Sequence, residues 1–305
     1  MLMYLLVKVL THFTIWLLCK RFSIYNKSVT GMETPLVIGC HHPNSFLDAI
    51  LIGAQMKKRV HFLTRSDVFK NKWAIAVMRS VNMIPIYRIR DGKENLIHND
   101  VTFNLCREII KRGEHVLIFV EGFCKHQTTL QTPLKKGAPR LLIQGWKDGV
   151  DVQLLPVWIR FNSFKQFPKE VDISFGTAFG KEIINATDED GLKMQSINKE
   201  TERQLLQLST IASEPIKNKF SFLLALPALL GFITHVLLFL SVHLFAKSIK
   251  ETIHYDSVIF SAIALLYPIY LLLMAVIVLC TVGAGWALLT LLLLPLLARS
   301  YTLWK

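Results

Sequence analysis

Acidic residues are scarce in this 305-residue chain: 22 Asp and Glu stand against 35 Lys and Arg, a formal net charge of +13. Charge of either sign nearly vanishes from Phe220 onward, where only Lys247, Lys250, Glu251, Asp256, Arg299 and Lys305 remain. Those six carry four positive and two negative charges, so net +11 of the +13 belongs to residues 1–219. So bare a C-terminal stretch excludes a wholly soluble enzyme, and a 52% apolar composition excludes a disordered chain. Cysteine is also sparse: five residues, odd in number and never spaced CxxC, exclude a disulfide-framed module and give no zinc signature. P-loop, dinucleotide and HExxH fingerprints are missing, as are internal repeats and low-complexity segments. No basic-aromatic platform accompanies the positive charge, so nucleic acid is not an expected partner. An anionic lipid surface is the nearer one.

What is present divides in three. Phe220 to Ala246 holds no charge and is flanked by Lys217, Lys219 and Lys247. At 1.5 Å per residue it makes about 40 Å of helix, enough to cross a hydrocarbon core of about 30 Å. Ser257 to Ala298 is a second uncharged run, broken at Gly283-Ala284-Gly285. The arm from Trp286 to Ala298 is roughly 20 Å long, too short to span alone. Two spanning helices and a terminal half-helix are therefore expected over 220–305, with three crossings as the alternative. The N-terminus, MLMYLLVKVLTHFTIWLLCKRF, lacks a leading basic region and a small-residue cleavage site, unlike a signal peptide. Tyr4, Lys8, Thr11 and His12 share one helical face and apolar residues fill the rest. This predicts a membrane-associated helix over residues 1–24, against the alternative of an ordinary buried helix.

Residues 25–219 form the remaining unit. PLVIGC, RVHFLT, MIPIYR, HVLIFVE and VQLLPVWIRF read as buried strands, with VDISFGTAF a later one. Helical stretches are expected around 46–57, 70–80, 93–112 and 136–147, and Asn198 to Ile211 continues toward the membrane. Strands and helices alternating at this spacing predict one α/β domain.

Chemistry concentrates where strands end, because loops there carry the reactive groups of open α/β sheets. After PLVIGC come His41, His42, Pro43, Asn44 and Ser45, then a helix holding Asp48. A histidine with a carboxylate nearby suits general-base work, the carboxylate fixing the tautomer and stabilising the imidazolium. A solvated histidine beside a helix-terminus charge is the bland alternative. MIPIYRIRDG places Arg88 and Arg90 at a strand end, suited to phosphate or equally to a basic membrane surface. FVEGFCKH puts Glu121 at another strand end, with the permissive Gly122 next to it. Arg65 follows VHFLT and either lines the pocket or is a surface charge. Cys124 lacks a placed base, which argues against a cysteine nucleophile, and His235 reads as a polar helix-packing residue.

Taken together these segments resemble a known family. His42 and Asp48, Arg88, Glu121-Gly122, LKKGA at Leu134 to Ala138 and LLPV at Leu154 to Val157 follow the order of its motif blocks. Over roughly residues 30–180 the chain is similar to the glycerolipid acyltransferases, the 1-acylglycerol-3-phosphate acyltransferase group. The resemblance implies a mixed sheet flanked by helices, and transfer of a fatty acyl group from acyl-CoA or acyl-carrier protein to a glycerolipid hydroxyl, first of all that of lysophosphatidate. It assigns His42 as base and Asp48 as its partner, Arg88 to the acceptor phosphate, and Glu121 and Gly122 to the block shaping the acceptor site; by their positions in the sequence Lys125 and Arg65 are further candidate substrate contacts. It implies no metal and no bound cofactor, and as partners only membrane lipids and the acyl donor. The active site would face the cytoplasm, at the inner membrane in a bacterium.

The chain departs from the usual blocks in three places. Five residues separate His42 from Asp48 where four are usual. Asn82 stands where the second block opens with Gly. In the third block the small hydroxyl residue is missing, and Lys125 stands one place beyond the usual Arg. Glycerol-3-phosphate or another lysolipid are alternative acceptors. From a different class, a non-catalytic lipid-binding scaffold would also retain the fold.

Overall fold

A computed structural model of the chain describes residues 2–69, 71–87, 97–211, 221–249 and 252–305. Its centre is a seven-stranded mixed sheet of β1 (Cys19–Tyr25), β2 (Leu36–Cys40), β3 (Val60–Arg65), β4 (Met83–Ile86), β5 (His115–Phe119), β6 (Gln153–Phe161) and β7 (Lys169–Phe175). The spatial order is β1-β7-β6-β2-β5-β3-β4, and every pair is parallel except β6 with β7. β2 lies near the middle and all five of its residues are buried. Successive side chains leave a strand on opposite faces. Val37 accordingly joins one core, with Phe103, Ile110, Leu141 and Leu205, while Leu36, Ile38 and Cys40 join the other, with Leu47, Ile52 and Ile15.

Helices α4 (His98–Lys111), α5 (Gly137–Lys147) and α6 (Asp190–Ser209) supply the first core, and α1 (Leu2–Leu18) and α2 (Phe46–Gln55) the second. The short α3 (Lys72–Ser80) leads into β4. The expected mixed α/β sheet flanked by helices is therefore the observed one.

One expected element changes character. The N-terminal segment read as continuous helix to residue 24 ends at Leu18, and Cys19–Tyr25 is an edge strand parallel to β7. Lys20 and Arg21 ended the apolar pattern and hid the strand. In the structure Arg21 reaches across to Glu170 at 3.0 Å and to Asp172 at 3.4 Å on β7. Pairing with β7 thus satisfies the backbone that a helix would have satisfied locally. α1 buries Thr14, Ile15, Leu17 and Leu18 against the domain, and Lys8 Nζ donates to the carbonyl of Met56 beyond α2. Its other face leaves Leu2, Met3, Leu5, Leu6 and Val9 exposed.

Beyond residue 220 come α7 (Ala225–Ser248), α8 (Tyr255–Thr281) and α9 (Ala284–Trp304). Among the described residues three segments are long and apolar enough to cross a membrane: Phe222–Ser248, Thr252–Thr281 and Ala284–Trp304. The last corrects the expected half-helix. Arg299 looked like its end, yet α9 runs past it to Trp304, 21 residues in all. The guanidinium is not left in an apolar medium: Arg299 Nη1 donates to the carbonyls of Trp16, at 2.6 Å, and Cys19. Thr302 Oγ1 donates to Leu17 O at 2.7 Å. The orphan carbonyls at the end of α1 are thus capped by α9. α7 meets α9 closely at Gly231, where an added Cβ would lie 2.1 Å from the carbonyl oxygen of Leu297. Beside this contact an apolar cavity of about 290 Å³ opens between α1, α7, α8 and α9.

Candidate active site

Parallel pairing of β2 with β5, in which Cys40 stands opposite Phe119, brings the ends of these two strands side by side. The loops that follow them continue the contact. Val120 N donates to Cys40 O at 2.9 Å and Lys125 N to His42 O at 3.2 Å. Two segments some 80 residues apart in sequence thereby enclose one polar site at the sheet edge.

His42 and Asp48 meet there. His42 Nδ1 lies 2.9 Å from Asp48 Oδ2, and the same oxygen accepts the Asn44 N–H at 2.8 Å. Five intervening residues are accommodated because Ser45 adopts φ 56°, turning the backbone sharply before α2 begins at Phe46. Asp48 is fully buried, and burial pushes its carboxyl above the usual range while His42 and the Asn44 N–H oppose the rise. An ionised carboxylate can only accept, so Nδ1 of His42 carries the hydrogen and Nε2 keeps its lone pair. Nε2 takes no partner among the described residues, and the side chain retains 16% exposure. Phe119 lies flat beneath the ring, with centroids 3.5 Å apart.

His41 is differently placed. It is buried, stacked on Trp158 at 3.7 Å, and has its pKa driven down to about 3 by burial, with His42 and Arg160 adding to the fall. It is a neutral packing residue and forms no hydrogen bond with Asp48.

Glu121 is buried and both of its oxygens are engaged. Oε2 accepts the His42 N–H at 2.8 Å, and Oε1 accepts Gln127 Nε2 at 2.9 Å and the Gln131 N–H at 2.7 Å. It therefore ties the loop after β5 to the histidine turn. Gly122 has φ +73°, and a Cβ there would stand 2.8 Å from Cγ of Lys135, so the loop needs glycine on both counts. Lys125 contributes a backbone bond to His42, and its side chain is exposed. Arg65, at the end of β3, is half-buried and paired with Asp67. Arg88 and Arg90 lie outside the described residues. Cys124 Sγ accepts the Ser45 N–H at 3.0 Å, and burial pushes its thiol up to about 12, which removes it as a thiolate nucleophile. Among the described residues no group of three His, Cys, Asp or Glu side chains is placed to hold a metal ion.

A model of the family described as Acyltransferase matches residues 21–160, which contain all of these groups. Residues 21–160 are thus similar to the acyltransferase family. The chain is also 26% identical over 124 residues to a 1-acyl-sn-glycerol-3-phosphate acyltransferase of Bacillus subtilis (strain 168), a match spanning 40% of this chain and 57% of that relative. Among solved structures, the 1-acyl-sn-glycerophosphate (LPA) acyltransferase PlsC from Thermotoga maritima is similar with a TM-score of 0.48 and 15% identity, covering 68% of this chain and 81% of that one.

Around the His42–Asp48 pair several contributors carry no sequence signal of their own. Asn44 acts through its backbone N–H, and Phe119 and Trp158 act as stacking surfaces. Each occupies a position where many residues read alike in a linear sequence. The strand register places both aromatics near the histidine turn: Cys40 lies opposite Phe119 on β5 and opposite Val157, the neighbour of Trp158, on β6.

Proposed function

We propose that this chain is a membrane-bound O-acyltransferase that moves a fatty acyl group from a thioester, acyl-CoA or acyl-carrier protein, to the free hydroxyl of lysophosphatidate. The contact between His42 Nδ1 and buried Asp48 carries the reading, because it leaves Nε2 as a base at the end of β2. Nε2 takes the acceptor's hydroxyl proton while the oxygen attacks the thioester carbon. Collapse of the tetrahedral adduct breaks the C–S bond, and the imidazolium returns its proton to the departing thiolate. Asp48 stabilises the imidazolium between these steps. The step needs neither an acyl-enzyme nor a bound cofactor.

Arg88 is proposed to hold the acceptor phosphate, a role that suits a guanidinium fork. Three apolar helices and the basic balance of residues 1–219 support a location on the anionic cytoplasmic leaflet, where thioester donors are available and the lysolipid can keep its tail in the bilayer.

The test is thiol release by purified protein given acyl thioester with lysophosphatidate, glycerol-3-phosphate or other lysolipids as parallel acceptors. Release with lysophosphatidate, and its loss in His42→Ala, is the expected result. Unchanged turnover in His42→Ala overturns the mechanism. Release only with another acceptor overturns the assignment of substrate.

A further inference from the structure

The turn between β2 and α2 has an unusual local structure. Ser45 sits at the N-cap of α2, a position where serine normally caps the first free N–H groups. Here φ 56° and ψ −147° point its side chain elsewhere, and it makes no capping bond. Its Oγ lies instead 2.5 Å from Nδ1 of His254. The missing cap comes from more than 200 residues further along. Ser257 Oγ accepts the Leu47 N–H at 3.1 Å and donates to Asn44 O at 3.1 Å. Next to it, Asp256 Oδ2 accepts Asn44 Nδ2 at 2.8 Å and pairs with Lys169 of β7. Asp256 and Ser257 are both fully buried, on the first turn of α8. On the other side of the turn, the Ile253 carbonyl lies 3.3 Å from His126 Nε2 in the loop after β5. Both chain segments that build the site are therefore bonded to the start of the second long apolar helix.

We propose that Ser257 and Asp256 are positioning residues for the His42–Asp48 pair, so that the C-terminal helices complete the acyl-transfer site as well as anchoring it. The proposal rests on the acyl-transfer reading above for its kinetic part and on geometry alone for the rest. Asn44 is the link. Its backbone N–H fixes Asp48, while its carbonyl and side-chain amide are held by Ser257 and Asp256. With Asn44 released, Asp48 Oδ2 loses one of its two donors and the carboxylate is free to turn away from His42. The α2 N-terminus also loses the oxygen on Leu47 N, at the turn that carries Asp48 itself.

Ser257→Ala is the informative change, since Asp256→Ala would strand the buried ammonium of Lys169. Two readouts are taken on the full chain in detergent. Thiol release should show kcat down about tenfold, the size of one lost hydrogen bond in the transition state, with KM for both substrates within twofold of wild type. Carbethoxylation by diethyl pyrocarbonate, followed at His42 by peptide mass spectrometry, should speed up severalfold. Asp256→Asn, which keeps an oxygen for Asn44 Nδ2, should move both readouts less than Ser257→Ala does. Ser241→Ala, whose hydroxyl bonds among the described residues only to Leu237 O of its own helix, should move neither. Equal His42 modification rates in wild type and Ser257→Ala overturn the positioning role. If wild type acylates no lysolipid while the modification contrast persists, the acyl-transfer reading falls and the positioning stands.

Discussion

Replacing Asp48 with Asn isolates what the buried charge contributes. Oδ2 alone receives both donors, His42 Nδ1 at 2.9 Å and the Asn44 N–H at 2.8 Å. The amide oxygen of Asn can occupy that place and accept both bonds, so Asp48→Asn preserves the tautomer with Nε2 free. What disappears is the negative charge opposite the imidazolium. Charge centres about 4 Å apart interact by roughly 4 kcal/mol at an effective dielectric of about 20, which is close to three decades of rate at about 1.4 kcal/mol per decade. The retained amide dipole offsets part of this, leaving an expected fall in kcat of about 10²- to 10³-fold. KM should change little, because the carboxylate is buried behind the histidine. The amide nitrogen takes the place of Oδ1, which has no protein partner. An unpaired buried N–H there should lower stability by about 1–3 kcal/mol. Initial rates of thiol release at saturating donor and acceptor measure the first effect, and thermal unfolding in detergent the second. A variant within threefold of wild-type kcat, or a loss confined to KM, would refute the charge-stabilisation argument.

Acid should weaken the fold through two buried histidines. His41 is held down to about 3 and His115, whose Nδ1 accepts the Leu36 N–H at 3.1 Å, to about 4, both chiefly by burial. Below their ordinary value of about 6.5 the unfolded chain binds protons that the folded chain refuses. Their contribution is complete above that pH and is lost at up to roughly 2.7 kcal/mol per pH unit as pH falls toward 4. Unfolding midpoints between pH 7.5 and 4.5 should drop accordingly, and His115→Asn should halve this part of the slope; a midpoint that rises on acidification contradicts it. In the helical region, Gly231→Ala puts a methyl 2.1 Å from the Leu297 carbonyl. Forcing α7 and α9 apart should cost about 1–3 kcal/mol, read as a lower unfolding temperature; no change would mean the helices do not meet there.

The parallel strands and the His42–Asp48 pair were legible because each rests on local information. PLVIGC is buried on both faces and so reads as an unbroken apolar run. The polar cluster after it can only be a loop. Cys19–Tyr25 was not legible: an edge strand, mostly half-buried, needs only one neighbour, and β7 lies about 150 residues away. The length of α9 was misjudged for a related reason. Arg299 marks a membrane boundary only if its charge has no protein partner, and its partners are carbonyls some 280 residues earlier. Asn44, Ser257 and Asp256 share this property. Their types are ordinary for a turn and a helix start, and only the fold shows that they belong to one network.

The capping of α1 by α9 also orders events in time. On the ribosome α1 emerges before α9, and its terminal carbonyls stay with water or lipid until Arg299 and Thr302 have been made. Closing so long a loop is entropically unfavourable until the intervening helices have packed. Completion of the junction between α1 and β1 is accordingly a late step, one that depends on α9 reaching its place.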